Sequence, residues 1–99
     1  MIDYIKEYGI SSLDYEFIIN NVDKNILDIL ILNEDKVKDI LDYYNSIDIK
    51  SEIASIIVYR PDLIVIEKDV LDKLVHKNGI KLFVKTVKSN VNDLVLLGV

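Results

Sequence analysis

Hydrophobic residues recur at helical spacing along most of the chain. Between residues 34 and 47 the steps between apolar positions are 3, 1, 3 and 3, as on one face of a helix. These positions are Val37, Ile40, Leu41, Tyr44 and Ile47. The segment 67–79 repeats the pattern with Val70, Leu71, Leu74 and Val75. Both segments are therefore predicted to be amphipathic α-helices.

Residues that favour helix ends border these two segments. Asn33 precedes the first, followed by Glu34 and Asp35, which is the order expected of an N-cap and an acidic first turn. Asn78 and Gly79 follow the second, and Gly79 suits the left-handed position after a helix. We therefore predict a helix start at Asn33 and a helix end at Gly79.

Two shorter helices are predicted from serine caps. Ser11, with Asp14 three residues later, is expected to open a helix that carries the apolar residues Phe17, Ile18 and Leu13. Ser51 is expected to cap a helix whose isoleucines share one face, and these are Ile53, Ile56 and Ile57. The β-branched residues nearby favour strands, but no hairpin turn signal accompanies them. We therefore predict helices throughout.

Pro61 is the single proline of the chain, and it interrupts the most apolar stretch, residues 56–66. The preceding helix must end near Tyr59, because a residue before proline avoids helical backbone angles. A corner between two helices is therefore predicted at Pro61.

Three segments of the chain resemble one another when they are aligned on Ile10, Ile49 and Ile80. The alignment superimposes three aspartates, each followed by an apolar segment, and these are Asp23, Asp62 and Asp93. Each aspartate is predicted to cap the second helix of a helical hairpin. We expect one all-α domain over residues 1–99, with about seven or eight short helices and units at about 10–48, 49–79 and 80–99.

Residues 49–80, "IKSEIASIIVYRPDLIVIEKDVLDKLVHKNGI", carry a family resemblance. A short helix, then Pro-Asp-Leu-Ile, then a helix ending in Asn-Gly-Ile resembles the repeats of the mitochondrial transcription termination factor family. The resemblance implies a helical-repeat fold and a basic concave face that holds nucleic acid. This chain differs from the family in three respects: it is short, it is acidic overall, and only one of its repeats contains the proline.

The net charge of −5 is unevenly distributed along the chain. Residues 1–49 contain 11 acidic and 4 basic side chains, giving −7, and residues 50–99 contain 6 and 8, giving +2. The absence of cysteine excludes disulfides and thiolate sites. The first residues include Asp3 and Glu7 where a signal peptide would be basic, and no apolar run is long enough to span a bilayer. We therefore expect a cytoplasmic protein.

A series of lysines is the positive feature with a defined spacing. It comprises Lys73, Lys77, Lys81, Lys85 and Lys88. Together with Arg60, the lone arginine, these residues could neutralise phosphates of a nucleic acid. The opposing interpretation is a solvated face for the lysines, and a structural role for Arg60 as a partner of carbonyls or of a nearby acid.

Catalytic and metal-binding residues are not indicated. His76 is the only histidine, one turn after Asp72, and is expected to interact with the negative end of its helix. The three glycines are isolated, so no phosphate-binding loop is formed. We therefore predict no enzyme activity, no cofactor and no metal.

Tyrosines and the apolar C-terminal segment are the candidates for a protein interface. Tyrosine is favoured at interfaces, and adjacent tyrosines on one helix cannot both face the core. The residues in question are Tyr43, Tyr44, Tyr59, Leu96 and Leu97. We predict an interaction module that binds a protein partner or self-associates, with no membrane association. A nucleic-acid-binding repeat protein is the alternative, and its affinity would fall steeply with salt.

Overall fold

The computed structural model describes residues 2–99, and in this range it confirms the all-α prediction, since no strand is present. Six α-helices are formed: α1 (Ser12–Asn21), α2 (Lys24–Leu32), α3 (Glu34–Ser46), α4 (Ile53–Tyr59), α5 (Lys68–Asn78) and α6 (Ile80–Ser89). Four 3-10 helices accompany them: η1 (Asp3–Tyr8), η2 (Lys50–Glu52), η3 (Pro61–Leu63) and η4 (Val91–Leu97).

The core is built around α3 and α4. Helix α3 packs against η1, α2 and α5, whereas α4 packs against α1, η3 and η4. The predicted stripe of α3 is buried from Val37 to Tyr44, and the three isoleucines of α4 are inaccessible to solvent. Helix α5 buries Leu71 and Val75 of its predicted stripe and leaves Val70 exposed.

Two buried tyrosines join separate segments by hydrogen bonds to main-chain carbonyls. The Tyr4 hydroxyl donates to the Leu30 carbonyl oxygen at 2.6 Å, and the Tyr44 hydroxyl donates to that of Leu63 at 2.6 Å. Burial, aided by the charge of Glu34, raises the pKa of Tyr4 to about 12. Both hydroxyls therefore remain neutral donors that hold η1 to α2 and α3 to η3.

Two of the predicted caps are confirmed. The Ser11 hydroxyl accepts a hydrogen bond from the Asp14 amide at 3.1 Å, and the Asp23 carboxylate accepts one from the Asn25 amide at 2.8 Å. Each side chain satisfies an amide that has no partner within its own helix. Helices α1 and α2 therefore start where the sequence predicts.

Helix α3 begins directly after Asn33 as predicted, but the Asn33 side chain makes no capping hydrogen bond, and the predicted cap at Ser51 is wrong. The Asn33 side chain donates to the Ile29 carbonyl oxygen at 2.8 Å, so it closes the end of α2. Helix α4 begins after a 3-10 turn that contains Ser51, and Glu52 precedes its first residue without a side-chain cap bond. A 3-10 turn therefore occupies the position where the Ser51 cap was expected.

The predicted caps at Asp62 and Asp93 are also wrong. Asp62 lies inside η3, and its carboxylate accepts hydrogen bonds from Arg60. Asp93 lies inside η4, where Asn90 is the capping residue and accepts from the Asn92 amide at 3.0 Å. Of the three aligned aspartates, Asp23 alone has the predicted role, and the division into three units stays a prediction.

Candidate protein-interaction surface

The five lysines of the predicted series form two rows on packed helices. Lys73 and Lys77 lie on α5, and Lys81, Lys85 and Lys88 lie on α6. All five side chains are exposed. Among the described residues, Lys88 alone of this series forms an ion pair, with Asp48 at 3.4 Å. The series is thus a largely unpaired positive surface, divided in two at Gly79.

Arg60 does not belong to this positive surface. Its guanidinium donates to both carboxylate oxygens of Asp62, at 3.1 and 2.9 Å, and to the Val99 main-chain oxygen at 2.6 Å. The hydrogen bond with Asp62 raises the pKa of Arg60, although partial burial opposes the rise. Arg60 therefore pairs with a nearby acid, as the structural interpretation of this residue predicts, and its role in nucleic-acid binding stays a prediction.

Helix α6 divides its side chains between the core and two exposed grooves. Phe83 and Val87 are buried against the rest of the protein. The three lysines point away from that side, and apolar residues lie on either side of them. The exposed apolar residues are Ile80 at 39% and Leu82 at 47% of their accessible surface. We call the exposed part of this helix, residues 80–82, 84, 85 and 88, the α6 face.

The larger groove lies between α6 and the end of α3. It has a volume of about 500 Å³, and its lining is mostly apolar. Ile47, which follows α3, forms one wall, and Ile80 and Val84 form the other, with lysines along the edge. Sequence reasoning missed this groove because it joins residues that are more than thirty positions apart.

A second groove lies between α6 and η4. It has a volume of about 240 Å³, and Leu82, Leu96 and Leu97 are among its lining residues. Leu96 is 79% exposed and Leu97 is half-buried, so the predicted interface residues of the C-terminal segment lie on an accessible surface. Lys85 borders both grooves and is the residue that separates them.

The tyrosines predicted at an interface have different environments. Tyr44 is fully buried, so its prediction as an interface residue is wrong: the adjacent Tyr43 takes the outer position instead. The two rings meet edge to face with centroids 6.2 Å apart. The Tyr43 hydroxyl donates to the Asp72 carboxylate at 2.9 Å, and burial together with this bond raises its pKa. Tyr59 is 52% exposed and remains accessible.

A polar cavity of about 400 Å³ lies beside Tyr59. Its lining includes Glu52, Ser55 and Asn90. One carboxylate oxygen of Glu52 is buried and has no hydrogen-bond partner within residues 2–99. Nothing in the sequence singles out Glu52, because an acidic residue is common in the first turn of a helix.

His76 and the acidic residues do not assemble a metal centre. The His76 Nδ1 atom lies 2.8 Å from the Asp72 carbonyl oxygen and 3.2 Å from the Asp72 carboxylate, and the ring is exposed. Within residues 2–99 there is no group of three or more side chains placed to hold a metal ion. Over the same range, none of the helices has the length and apolar character needed to cross a membrane.

Helix α1 exposes two of the three apolar residues that the sequence predicts on it. Ile18 is buried, whereas Leu13 is 79% and Phe17 is 40% exposed. Of the three apolar residues predicted on this helix, Ile18 alone therefore belongs to the core. Helix α1 packs on α4 through its Ile18 side, and this leaves the Leu13 side in solvent.

Comparisons with known proteins identify no relative: no family model, no curated protein and no solved structure matches this chain. The resemblance of residues 49–80 to termination-factor repeats therefore stays a prediction. Any assignment of function depends on the shape, exposure and charge of the surfaces themselves.

Proposed function

We propose that this chain is a non-enzymatic interaction module that binds a protein partner through the α6 face. The observation that carries the proposal is the pair of grooves on either side of the lysines, with volumes of about 500 and 240 Å³. Exposed apolar surface bordered by charge is typical of protein contact sites. The partner is expected to present apolar side chains together with carboxylates.

The shape of the α6 face favours a helical ligand. An amphipathic helix binds a groove through side chains three or four residues apart, while its polar residues pair along the rim. Lys81 and Lys85 are available for such pairing, because neither forms an ion pair with another described residue. An acidic amphipathic helix therefore matches both the apolar lining and the charge of this surface.

A peptide titration tests the proposal. The probe is a designed helix with leucines at helical spacing and glutamates on the remaining positions, and the control is the same composition in scrambled order. We expect the designed peptide to shift amide resonances of residues 80–97 in a labelled sample, and the scrambled peptide to shift none. Equal shifts with both peptides, or shifts spread over the whole chain, would contradict a specific binding surface.

Matched variants locate the contact. Leu82→Ser removes an exposed apolar side chain from the α6–η4 groove and is expected to weaken peptide binding about tenfold, since buried apolar contacts contribute roughly 1–2 kcal/mol each. Val95→Ser is the control, because Val95 is 68% exposed and does not line that groove. An equal loss in both variants would argue against the α6 face.

Nucleic-acid binding is the second candidate function. The observation in its favour is the pair of exposed lysine rows on α5 and α6. A single-stranded or duplex oligonucleotide should then shift residues 73–88, with an affinity that falls steeply as salt rises. Replacing Lys81 by Ala should reduce the salt slope by about 1. If the oligonucleotide shifts no amide resonance at low salt, nucleic-acid binding is excluded and protein binding is the remaining proposal.

A further inference from the structure

Helix α1 presents a second apolar surface whose charge is opposite to that of the α6 face. Leu13 and Phe17 are four residues apart, so they lie next to each other on the exposed side of the helix. Asp14 and Glu16 are exposed on either side of them. We call these four residues the α1 face.

Within residues 2–99 the charge of the α1 face has no ion-pair partner. Residues 12–21 contain two acidic residues, Asp14 and Glu16, and no basic residue. Among the described residues, neither carboxylate forms an ion pair. Residues 80–89 contain three lysines and no acidic residue. The two helices are therefore of opposite sign, and each carries exposed apolar side chains.

The two faces do not cover each other within one molecule. Leu13 keeps 79% and Leu82 keeps 47% of its accessible surface, and both would be buried if α1 lay on α6. Helix α1 packs on α4, whereas α6 packs on α5 and η4. A contact between the faces thus requires two molecules.

We propose that the partner is a second copy of this chain, with the α1 face of one molecule docked on the α6 face of the next. This inference rests on the proposed interaction function. Leu13 and Phe17 are separated by the same four-residue step as Ile80 and Val84, so two apolar pairs can meet along parallel or antiparallel helices. Asp14 and Glu16 then lie within reach of Lys81 and Lys85 of the neighbouring molecule. The α1 face thus presents the exposed apolar side chains and the carboxylates that the grooves require.

Contact between unlike faces determines the kind of assembly. A dimer related by a twofold axis uses the same surface twice and closes, whereas a head-to-tail contact leaves one free face at each end and continues as an open chain. A single helix-to-helix contact buries less than the roughly 1,200 Å² of a standard stable interface. The association is therefore weak, it extends beyond the dimer at high concentration, and salt weakens it.

Two single-face variants test the proposal by sedimentation equilibrium. Phe17→Lys places a positive charge in the α1 face, and Lys85→Glu places a negative charge in the α6 face. Each variant alone is expected to remain at the monomer mass of 11.4 kDa. An equimolar mixture is expected to form a dimer and nothing larger, because it pairs the intact α6 face of one variant with the intact α1 face of the other.

Other outcomes would overturn the proposal in distinguishable ways. Self-association of Phe17→Lys alone would mean that α6 faces pair with each other, and self-association of Lys85→Glu alone would mean that α1 faces do. A mixture that stays monomeric, or a wild-type chain that is monomeric at every concentration and salt tested, would also exclude the head-to-tail contact. The designed acidic peptide would still bind the α6 face in those cases if the proposed function holds, so the two failures are separable.

Folding of the variants is verified independently. Phe17 is 40% exposed, and a helical circular dichroism spectrum equal to that of the wild type shows that Phe17→Lys is folded. Leu13→Lys is the second variant of the same face, at a position that is 79% exposed. The proposal requires it to behave as Phe17→Lys does, both alone and in the mixture with Lys85→Glu.

Discussion

The junction between α4 and α5 and the junction between α5 and α6 connect helices in different ways. The first spans residues 60–67 and buries Leu63 and Ile64. It is held by the Tyr44 hydroxyl from α3. The second is Gly79 alone, with a φ of 89° and a ψ of 132°.

The difference shows two ways in which a sequence specifies a turn. A junction of several residues carries its own amide and carbonyl groups, and residues distant in sequence must partner those that are buried. A junction of one residue needs a backbone angle that glycine adopts without a steric penalty. The Pro61 junction is therefore specified by tertiary contacts, and the Gly79 junction by local conformation.

Leu63→Ala should have the largest effect on the Pro61 junction. Leu63 is 2% exposed, and removing a buried leucine side chain lowers the free energy of unfolding by about 3 kcal/mol through lost burial and a residual cavity. Chemical denaturation measures the loss. Leu32→Ala is the control, because Leu32 is 81% exposed and the same change there should alter stability by less than about 0.5 kcal/mol. Similar losses in both variants would show that the junction is not packed as described.

Tyr44→Phe should have the next largest effect. It removes the hydroxyl that donates to the Leu63 carbonyl oxygen inside the protein, and an unpartnered buried acceptor lowers stability by about 1–3 kcal/mol. Tyr43→Phe is the control, since its hydroxyl reaches a half-buried carboxylate near the surface. A loss in Tyr43→Phe that equals or exceeds the loss in Tyr44→Phe would contradict the role given to the buried bond.

Alkaline pH should weaken the Pro61 junction through the same tyrosine. Burial, aided by the charge of Asp62, raises the pKa of Tyr44, while an unfolded tyrosine ionises near pH 10. The folded state then binds more protons than the unfolded state, so stability is complete below pH 10 and falls by up to about 1.4 kcal/mol per pH unit above it for this group. The decline between pH 10 and 11 should be smaller by about 1 kcal/mol in Tyr44→Phe, because the unfolded tyrosine is only half ionised at pH 10. An unchanged slope in that variant would disprove the linkage.

Gly79→Ala should have the smallest effect of these changes. No atom lies within 4 Å of the position that a Cβ would take, so the change acts through the backbone angle alone. A loss of about 1 kcal/mol is expected, because an L-residue rarely adopts a φ of 89°. Thermal unfolding measures it, and the slope of stability against pH should match the wild type. A neutral result would mean that the junction relaxes to another turn.

The locally specified features of the fold are the ones that the sequence predicts. The end of α4 at Tyr59 and the positive φ of Gly79 depend on one proline and one glycine. The caps at Ser51 and Asp62 are wrong because nearby groups compete: a 3-10 turn precedes α4, and Arg60 binds the Asp62 carboxylate. Local residue preference does not determine which of several partners a polar side chain selects.

The sequence predicts only part of the candidate surface, because the rest depends on which helices pack against each other. The lysines of α6 and the exposed Leu96 are apparent from the sequence, but the groove wall at Ile47 requires knowledge of which helix packs beside α6. Helix α1 has apolar residues on two sides, and the sequence does not determine which side α4 covers. The exposure of Leu13 and Phe17 therefore follows from the packing of α1 on α4 and not from their own residue types.

The separation of the aliphatic core from the two exposed faces has an evolutionary consequence. None of the fully buried side chains in residues 2–99 is charged, and neither face contains a fully buried residue. Substitutions of exposed residues usually change the free energy of unfolding by less than about 0.5 kcal/mol, so changes in a face leave the folding free energy almost unaltered. A few surface substitutions during evolution can therefore change the binding partner of the protein or abolish binding. The isoleucine-rich core is meanwhile conserved.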